Sequence, residues 1–134
     1  MEKHYAIGID LGTTNSVLAY AALADAEFTM QTLPIPQVVD TATLESREVL
    51  PSFVYLPTSE EAENAAYNLP WQTTTTALTG IYGRHQAARA PSRTVAASKS
   101  WLAHSKVDRH AAILPWQAPE DIPKISPLTA SQLY

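Results

Sequence analysis

The stretch IGIDLGTTNSVLAY, Ile7 to Tyr20, decides how the chain begins. Tyr5, Ile7 and Ile9 alternate with Ala6 and Gly8 up to Asp10, and after a polar tip the apolar run resumes through Val17, Leu18, Ala19 and Tyr20. β-Branched and aromatic residues dominate both flanks, so the pattern predicts two strands joined by a tight turn. Gly12 supplies the backbone freedom such a turn asks for, and Gly8, with no side chain, lets another group approach the first strand closely. The tip is then expected to present the N–H groups and hydroxyls of Gly12, Thr13, Thr14 and Asn15 together. A concave set of amide and hydroxyl donors receives an oxyanion, because it offers positive dipoles without bulk. Asp10 conflicts with a phosphate unless a divalent cation lies between them, reached by the carboxylate directly or through water. The other reading of these residues is a polar hairpin turn in which Asp10 satisfies local amides.

The same stretch resembles the first phosphate-binding motif of the 70-kDa heat-shock (DnaK-type) chaperone family, within the wider superfamily of actin and sugar kinases. The superfamily shares the Asp-x-Gly-Thr/Ser core, here Asp10 to Thr13, and the longer run Gly8 to Ser16 resembles the chaperones in particular. The resemblance implies that Asp10 faces a Mg2+ site and that Gly12, Thr13, Thr14 and Asn15 line the β- and γ-phosphates of ATP or ADP. It also implies an α/β (α+β) chain with the ribonuclease-H-like actin/heat-shock-chaperone ATPase fold. Of that fold, the resemblance implies the start of the first lobe only, opened by an antiparallel meander.

A second block, TGIYGRHQAARAPSRTVAASKSWL, residues 79–102, resembles the same family: a glycine, a short helix with Gln86-Ala87, then Pro91, a threonine and a lysine. Eleven positions separate Gly80 from Pro91 and eight separate Pro91 from Lys99, which aligns Lys99 with the family's catalytic lysine. Ala90 and Ser100 depart from the Asn and Arg usual in the family. An ammonium placed there can orient an attacking water and balance charge developing on the γ-phosphoryl oxygens. The other reading of Lys99 is a solvated lysine on a helix face. The residues themselves predict a helix from Gly80 broken at Pro91, and a second helical run from Thr94 to Leu102 capped by Ser92.

Composition narrows the classes. With 134 residues and 46% hydrophobic content, the chain supports one modest core. Thirteen acidic and nine basic residues give a net charge of −4 without a block of either sign, which points away from nucleic acid and anionic membranes. There is no cysteine, so disulfides and thiolate metal sites are excluded. The opening MEKHYAIGID has no apolar leader and no later run approaches bilayer length, so a cytoplasmic location is expected.

Elsewhere the pattern predicts a third strand within AEFTMQTLPI, with Phe28, Met30 and Thr32 on one face and Pro34 and Pro36 ending it. A strand is expected over Phe53 to Leu56, and a surface excursion with room for a short helix over residues 57–72. Thr73 to Thr76 reads as strand or low-complexity loop. Trp116 and Ile122 are expected to pack an extended segment from Ile113 to Ile125, and all three tryptophans to serve as core or interface anchors. Ser126 and Pro127 open a helix that runs about two turns to Tyr134. The expected parts are a phosphate-binding meander (residues 1–36), an upper-subdomain-like segment (37–125) and the start of a helix (126–134). His85, His104 and His110 lack the spacing of a helical metal pair, and the acidic residues Glu60, Glu61, Glu63, Glu120 and Asp121 read as solvated loop charges.

These expectations describe an amino-terminal fragment of a divergent heat-shock-70-like chaperone. Its parent would bind and hydrolyse ATP to drive peptide binding and release, with unfolded peptides and co-chaperones as partners and a role in the stress response. In the family, the second phosphate motif, the adenosine motif and the second lobe lie beyond such a fragment, so the chain alone is expected to be inactive and to self-associate through apolar faces. The alternatives are a sugar kinase of the same superfamily, which needs a carboxylate base, and a non-catalytic interaction module.

Overall fold

The computed structural model describes residues 2–116 and 118–134. The chain is mixed α/β, built from small antiparallel sheets and short helices. β1 (Tyr5–Leu11) and β2 (Asn15–Ala22) form the expected hairpin, in register from Tyr5 opposite Ala22 to Leu11 opposite Ser16. β3 (Gln31–Thr32) adds to β2. It is far shorter than AEFTMQTLPI suggested, because Phe28 takes a left-handed φ of 51° and its N–H closes a turn on the Asp25 carbonyl.

A hairpin not foreseen follows, β4 (Ile35–Asp40) with β5 (Thr43–Arg47). Pro36 lies inside β4 instead of ending a strand, which is possible because β4 has a strand neighbour on one side only. β6 (Leu50–Pro51) returns to pair with the start of β2. β7 (Phe53–Tyr55), on the residues expected, is the centre of a three-stranded sheet. The excursion after it holds α1 (Ser59–Glu63), closed by a Thr58/Glu61 capping box. Thr73 to Thr76 forms no strand: buried Thr75 donates its hydroxyl to Asn68, and β8 (Leu78–Thr79) begins only afterwards.

α2 (Gly80–Arg89) starts and stops as expected. The second helix does not start at Thr94. Pro91–Arg93 make one 3-10 turn, β9 (Thr94–Ala96) pairs with β7, and α3 covers only Ser98–Leu102. β-Branched Thr94 and Val95 gain more from the sheet, where Val95 lies opposite Val54 and is buried, than from helix. Ala97, at φ 50° and ψ 41°, turns the corner. α4 (Pro127–Gln132) is capped by Ser126, whose hydroxyl accepts from Thr129 N–H.

The core is two clusters on either side of the β7 sheet. One joins Val38, Tyr55, Tyr67, Leu78 and Tyr82; the other joins Val54, Leu56, Val95, Leu114 and Ala130. Burial, helped by Tyr67, pushes the Tyr82 phenol up to about 12, and burial followed by the Glu61 carboxylate raises Tyr55 as well. Gln37, buried between these parts, donates to the Val49 carbonyl and accepts from Ile81 N–H, tying β4 to the approach to β6 and to the start of α2. Gly80 is required there: its φ is +73° and a Cβ would meet Gln37 Oε1 at 2.3 Å. Ile122 is buried as expected, but Trp71 and Trp116 are exposed; Trp116 lies against half-buried Trp101 with ring centres 5.3 Å apart. No helix among the described residues is long and apolar enough to cross a membrane.

Candidate functional site

The hairpin tip is held from below by Ser52, a side chain with 1% of its surface exposed. Its hydroxyl donates to the Gly12 carbonyl at 2.9 Å, and its N–H donates to the Thr14 carbonyl at 2.8 Å. In a trans peptide the C=O and the next N–H point in opposite directions. The N–H groups of Thr13 and Asn15 therefore aim away from Ser52. Thr13, Thr14 and Asn15 are exposed, and the N–H groups of Thr13 and Thr14 have no partner among the described residues. Gly12 differs from expectation on two counts. Its N–H is used inside the turn, donating to the Asn15 carbonyl at 3.0 Å, so it is not offered outward. Its φ is not left-handed; glycine is needed because a Cβ would lie 2.3 Å from the Asn15 carbonyl oxygen.

Lys99 comes to this tip from 88 positions downstream: its Nζ donates to the Leu11 carbonyl at 2.7 Å. The local fold explains how. Main-chain bonds alternate along an antiparallel ladder. Because Gly12 N–H bonds Asn15 and Leu23 N–H bonds the His4 carbonyl, the even-numbered residues of β1 are turned to β2. The odd ones, Tyr5, Ile7, Ile9 and Leu11, are turned the other way, and the ammonium takes the last carbonyl of that row.

α3, which carries Lys99, is fastened to α4 by hydroxyls. Ser98 is fully buried; its Oγ is in hydrogen-bond contact with Tyr134 Oη and lies 3.1 Å from Ser131 Oγ, which in turn donates to the Pro127 carbonyl at 3.0 Å. Each hydroxyl has one proton and the terminal carbonyl can only accept, so the chain runs in one direction, Tyr134 to Ser98 to Ser131 to Pro127.

Asp10 is exposed near the end of β1, opposite Val17. Its carboxylate accepts no hydrogen bond and makes no ion pair among the described residues, so local amides do not account for it. No group of three His, Cys, Asp or Glu capable of holding a metal occurs among the described residues. Mg2+ suits such a place nonetheless, since it keeps much of its water and is typically held by one or two carboxylates plus substrate phosphates. Ser16, at the base of the tip, has the one buried side-chain oxygen without a partner among the described residues.

The structure thus brings together Gly12, Thr13, Thr14, Asn15 and Lys99, with Asp10 two residues from Gly12. Sequence reading missed Ser52, for which the available signal was a serine directly after a proline at the entry to a strand, and the Ser98–Ser131–Tyr134 chain, for which there was none. No protein-family model matches this chain, and no curated protein matches it.

Proposed function

We propose that this chain is the phosphate-binding part of an ATPase with the actin/heat-shock-chaperone fold, and that its parent is a heat-shock-70-like chaperone. The observation that carries the reading is the Lys99 ammonium at 2.7 Å from the Leu11 carbonyl, one residue from the glycine of the phosphate motif. Two segments that resemble one family, far apart in sequence, meet at this bond, and that supports the reading.

In this reading the free amides of Thr13 and Thr14 and their hydroxyls receive the β- and γ-phosphate oxygens, with exposed Asn15 beside them. Gly12 keeps the turn narrow, and Ser52 keeps its carbonyls pointed away from the anion. Asp10 would hold Mg2+, directly or through water, and the ion would offset the charge on the phosphate oxygens. Lys99 releases the Leu11 carbonyl and turns its ammonium to the attacking water and the γ-phosphoryl group. The loop is open to solvent, which weakens every one of these interactions, so weak nucleotide binding and no measurable turnover are expected of this chain alone.

Titration of the 15N-labelled chain with MgADP and MgATP tests the reading. Amide shifts are expected at Thr13, Thr14 and Asn15 and side-chain shifts at Lys99, with Asp10→Asn removing the dependence on Mg2+. Millimolar nucleotide that leaves these resonances unmoved overturns it. In an ATPase-active parent, Lys99→Ala is expected to lower turnover ten-fold or more, about 1.4 kcal/mol in barrier, with affinity retained.

A further inference from the structure

We infer that Gln37 is a positioning residue for the phosphate loop: it sets the seat of the hairpin tip through β6 and Ser52 without bonding to the tip itself. Its side chain is 2% exposed. The side-chain amide donates to the Val49 carbonyl at 3.1 Å and to the Ile35 carbonyl at 3.4 Å, and its oxygen accepts from Ile81 N–H at 3.0 Å. A buried amide is costly unless it is paired, and Gln37 is paired on both its donor and its acceptor side.

β6 needs such an anchor. It is two residues long and joins β2 only at Ser16 and Asn15. Pro51, one of the two, has no N–H to give the ladder. What grips the chain on either side therefore decides where β6 lies. After it, Ser52 donates its hydroxyl to the Gly12 carbonyl and its N–H to the Thr14 carbonyl. Before it, Gln37 holds the Val49 carbonyl and ties it to the first turn of α2. Only Leu50 and Pro51 lie between these two grips, and the proline ring fixes φ at one of them, so a displacement at Val49 passes on to Ser52.

The packing around Gln37 has little slack. A Cβ on Gly80 would meet Gln37 Oε1 at 2.3 Å and Leu50 Cδ1 at 2.6 Å, so the start of α2, Gln37 and β6 interlock. Val49 and Ile81, the two groups that Gln37 joins, also line an open groove of about 330 Å3 together with Asn15 of the tip. By joining them Gln37 fixes the spacing beside the loop. Every group on this path already has its partner inside the chain. That the seat matters to a ligand rests on the phosphate-loop reading; that Gln37 sets it is measurable without nucleotide.

Gln37→Glu makes the anchor respond to pH. As a carboxylate the introduced group still accepts from Ile81 N–H but cannot donate to the Val49 carbonyl; protonated, it does both. Burial raises its pKa above the value of about 4.3 ordinary for glutamate, which brings both states within reach of one titration. 1H–15N spectra of the variant are recorded across pH without nucleotide, with the unmodified chain accounting for every other ionisable group. In the variant, the Ser52, Thr13 and Thr14 amides are expected to shift in one transition with those of Val49 and Ile81. They return to the unmodified positions at the acid end. Above the transition Ser52 N–H loses protection from exchange, and MgADP binds the tip several-fold more weakly than below it. Tip and Ser52 amides that stay in place while Val49 and Ile81 titrate overturn the proposal, because Gln37 then serves the core alone. Should the variant unfold above the transition, native-state hydrogen exchange of the unmodified chain decides. Ile81 and Ser52 amides that open together, with the same dependence on urea, support the role, and a Ser52 amide that exchanges through a separate, easier opening overturns it. A tip that follows Gln37→Glu and never responds to nucleotide upholds the role of Gln37 and sinks the phosphate reading instead.

Discussion

Replacing Gly12 by alanine tests the account of the hairpin tip, with Gly8→Ala as its control. At Gly12 the new methyl lies 2.3 Å from the Asn15 carbonyl oxygen, whereas comfortable heavy-atom contacts begin at about 3.5 Å, so the turn must open by about 1 Å. The obstacle is backbone, so no side-chain rotation relieves it. Opening strains or breaks the 3.0 Å bond between Gly12 N–H and the Asn15 carbonyl, worth about 1 kcal/mol. Overpacking adds about 1–3 kcal/mol. The expected loss is therefore about 2–4 kcal/mol, which for a small domain moves the urea midpoint down by roughly 1–2 M. The Thr13 and Asn15 amides shift with the turn, and nucleotide-induced shifts at the loop should disappear. At Gly8 nothing lies within 4 Å, and a glycine inside a strand costs about 0.5–1 kcal/mol relative to alanine, so Gly8→Ala should be neutral or stabilising. Urea unfolding monitored by tryptophan fluorescence, with a 1H–15N spectrum of each variant, supplies the comparison. If Gly12→Ala keeps the unmodified midpoint and loop resonances, or if Gly8→Ala is the more damaging change, the steric reasoning is refuted.

Ser52→Ala removes the 2.9 Å bond to the Gly12 carbonyl; a loss of about 1–2 kcal/mol is expected by denaturation, with a several-fold weaker nucleotide response at Thr13 and Thr14, and unchanged loop resonances would show that Ser52 does not hold the tip. Tyr134→Phe removes the first hydroxyl of the chain that fastens α3 to α4, so acylation of Lys99 by an amine reagent, read by mass spectrometry, should rise several-fold relative to exposed Lys106 with little change in Tm. An unaltered ratio means that α3 is held by other contacts. Tyr82 titrates near 10 when unfolded and near 12 when folded, so its contribution is fully present below pH 10 and falls away between pH 10 and pH 12, by about 3 kcal/mol at most. Tyr82→Phe should flatten the alkaline stability curve over that window, measured by urea midpoint at each pH, and a curve as steep as the original assigns the loss to other groups.

What could be read from the sequence was what is decided locally. The β1–β2 hairpin was legible because its alternation is uninterrupted and both strands are contiguous. The caps of α2 and α4 were legible because proline at Pro91, and serine with proline at Ser126 and Pro127, act within one turn of chain. β6, β9 and the β4–β5 hairpin were hidden because each is short and owes its conformation to a partner distant in sequence: β6 to β2, β9 to β7, and Gln37 of β4 to α2. The candidate site sits between these cases. The spacing from Pro91 to Lys99 led to the expectation that Lys99 lies near the hairpin tip, yet the helix expected from Thr94 to Leu102 does not form. A helix begun at Thr94 would carry Lys99 about 7.5 Å along a single axis. The chain instead adds one strand to β7 and reverses at left-handed Ala97. That corner starts a new, five-residue helix, from which the lysine arm reaches the free end of β1. Two local structures satisfy the same count of residues; pairing of Val95 with Val54 selects between them, and that contact is invisible until the sheet is assembled.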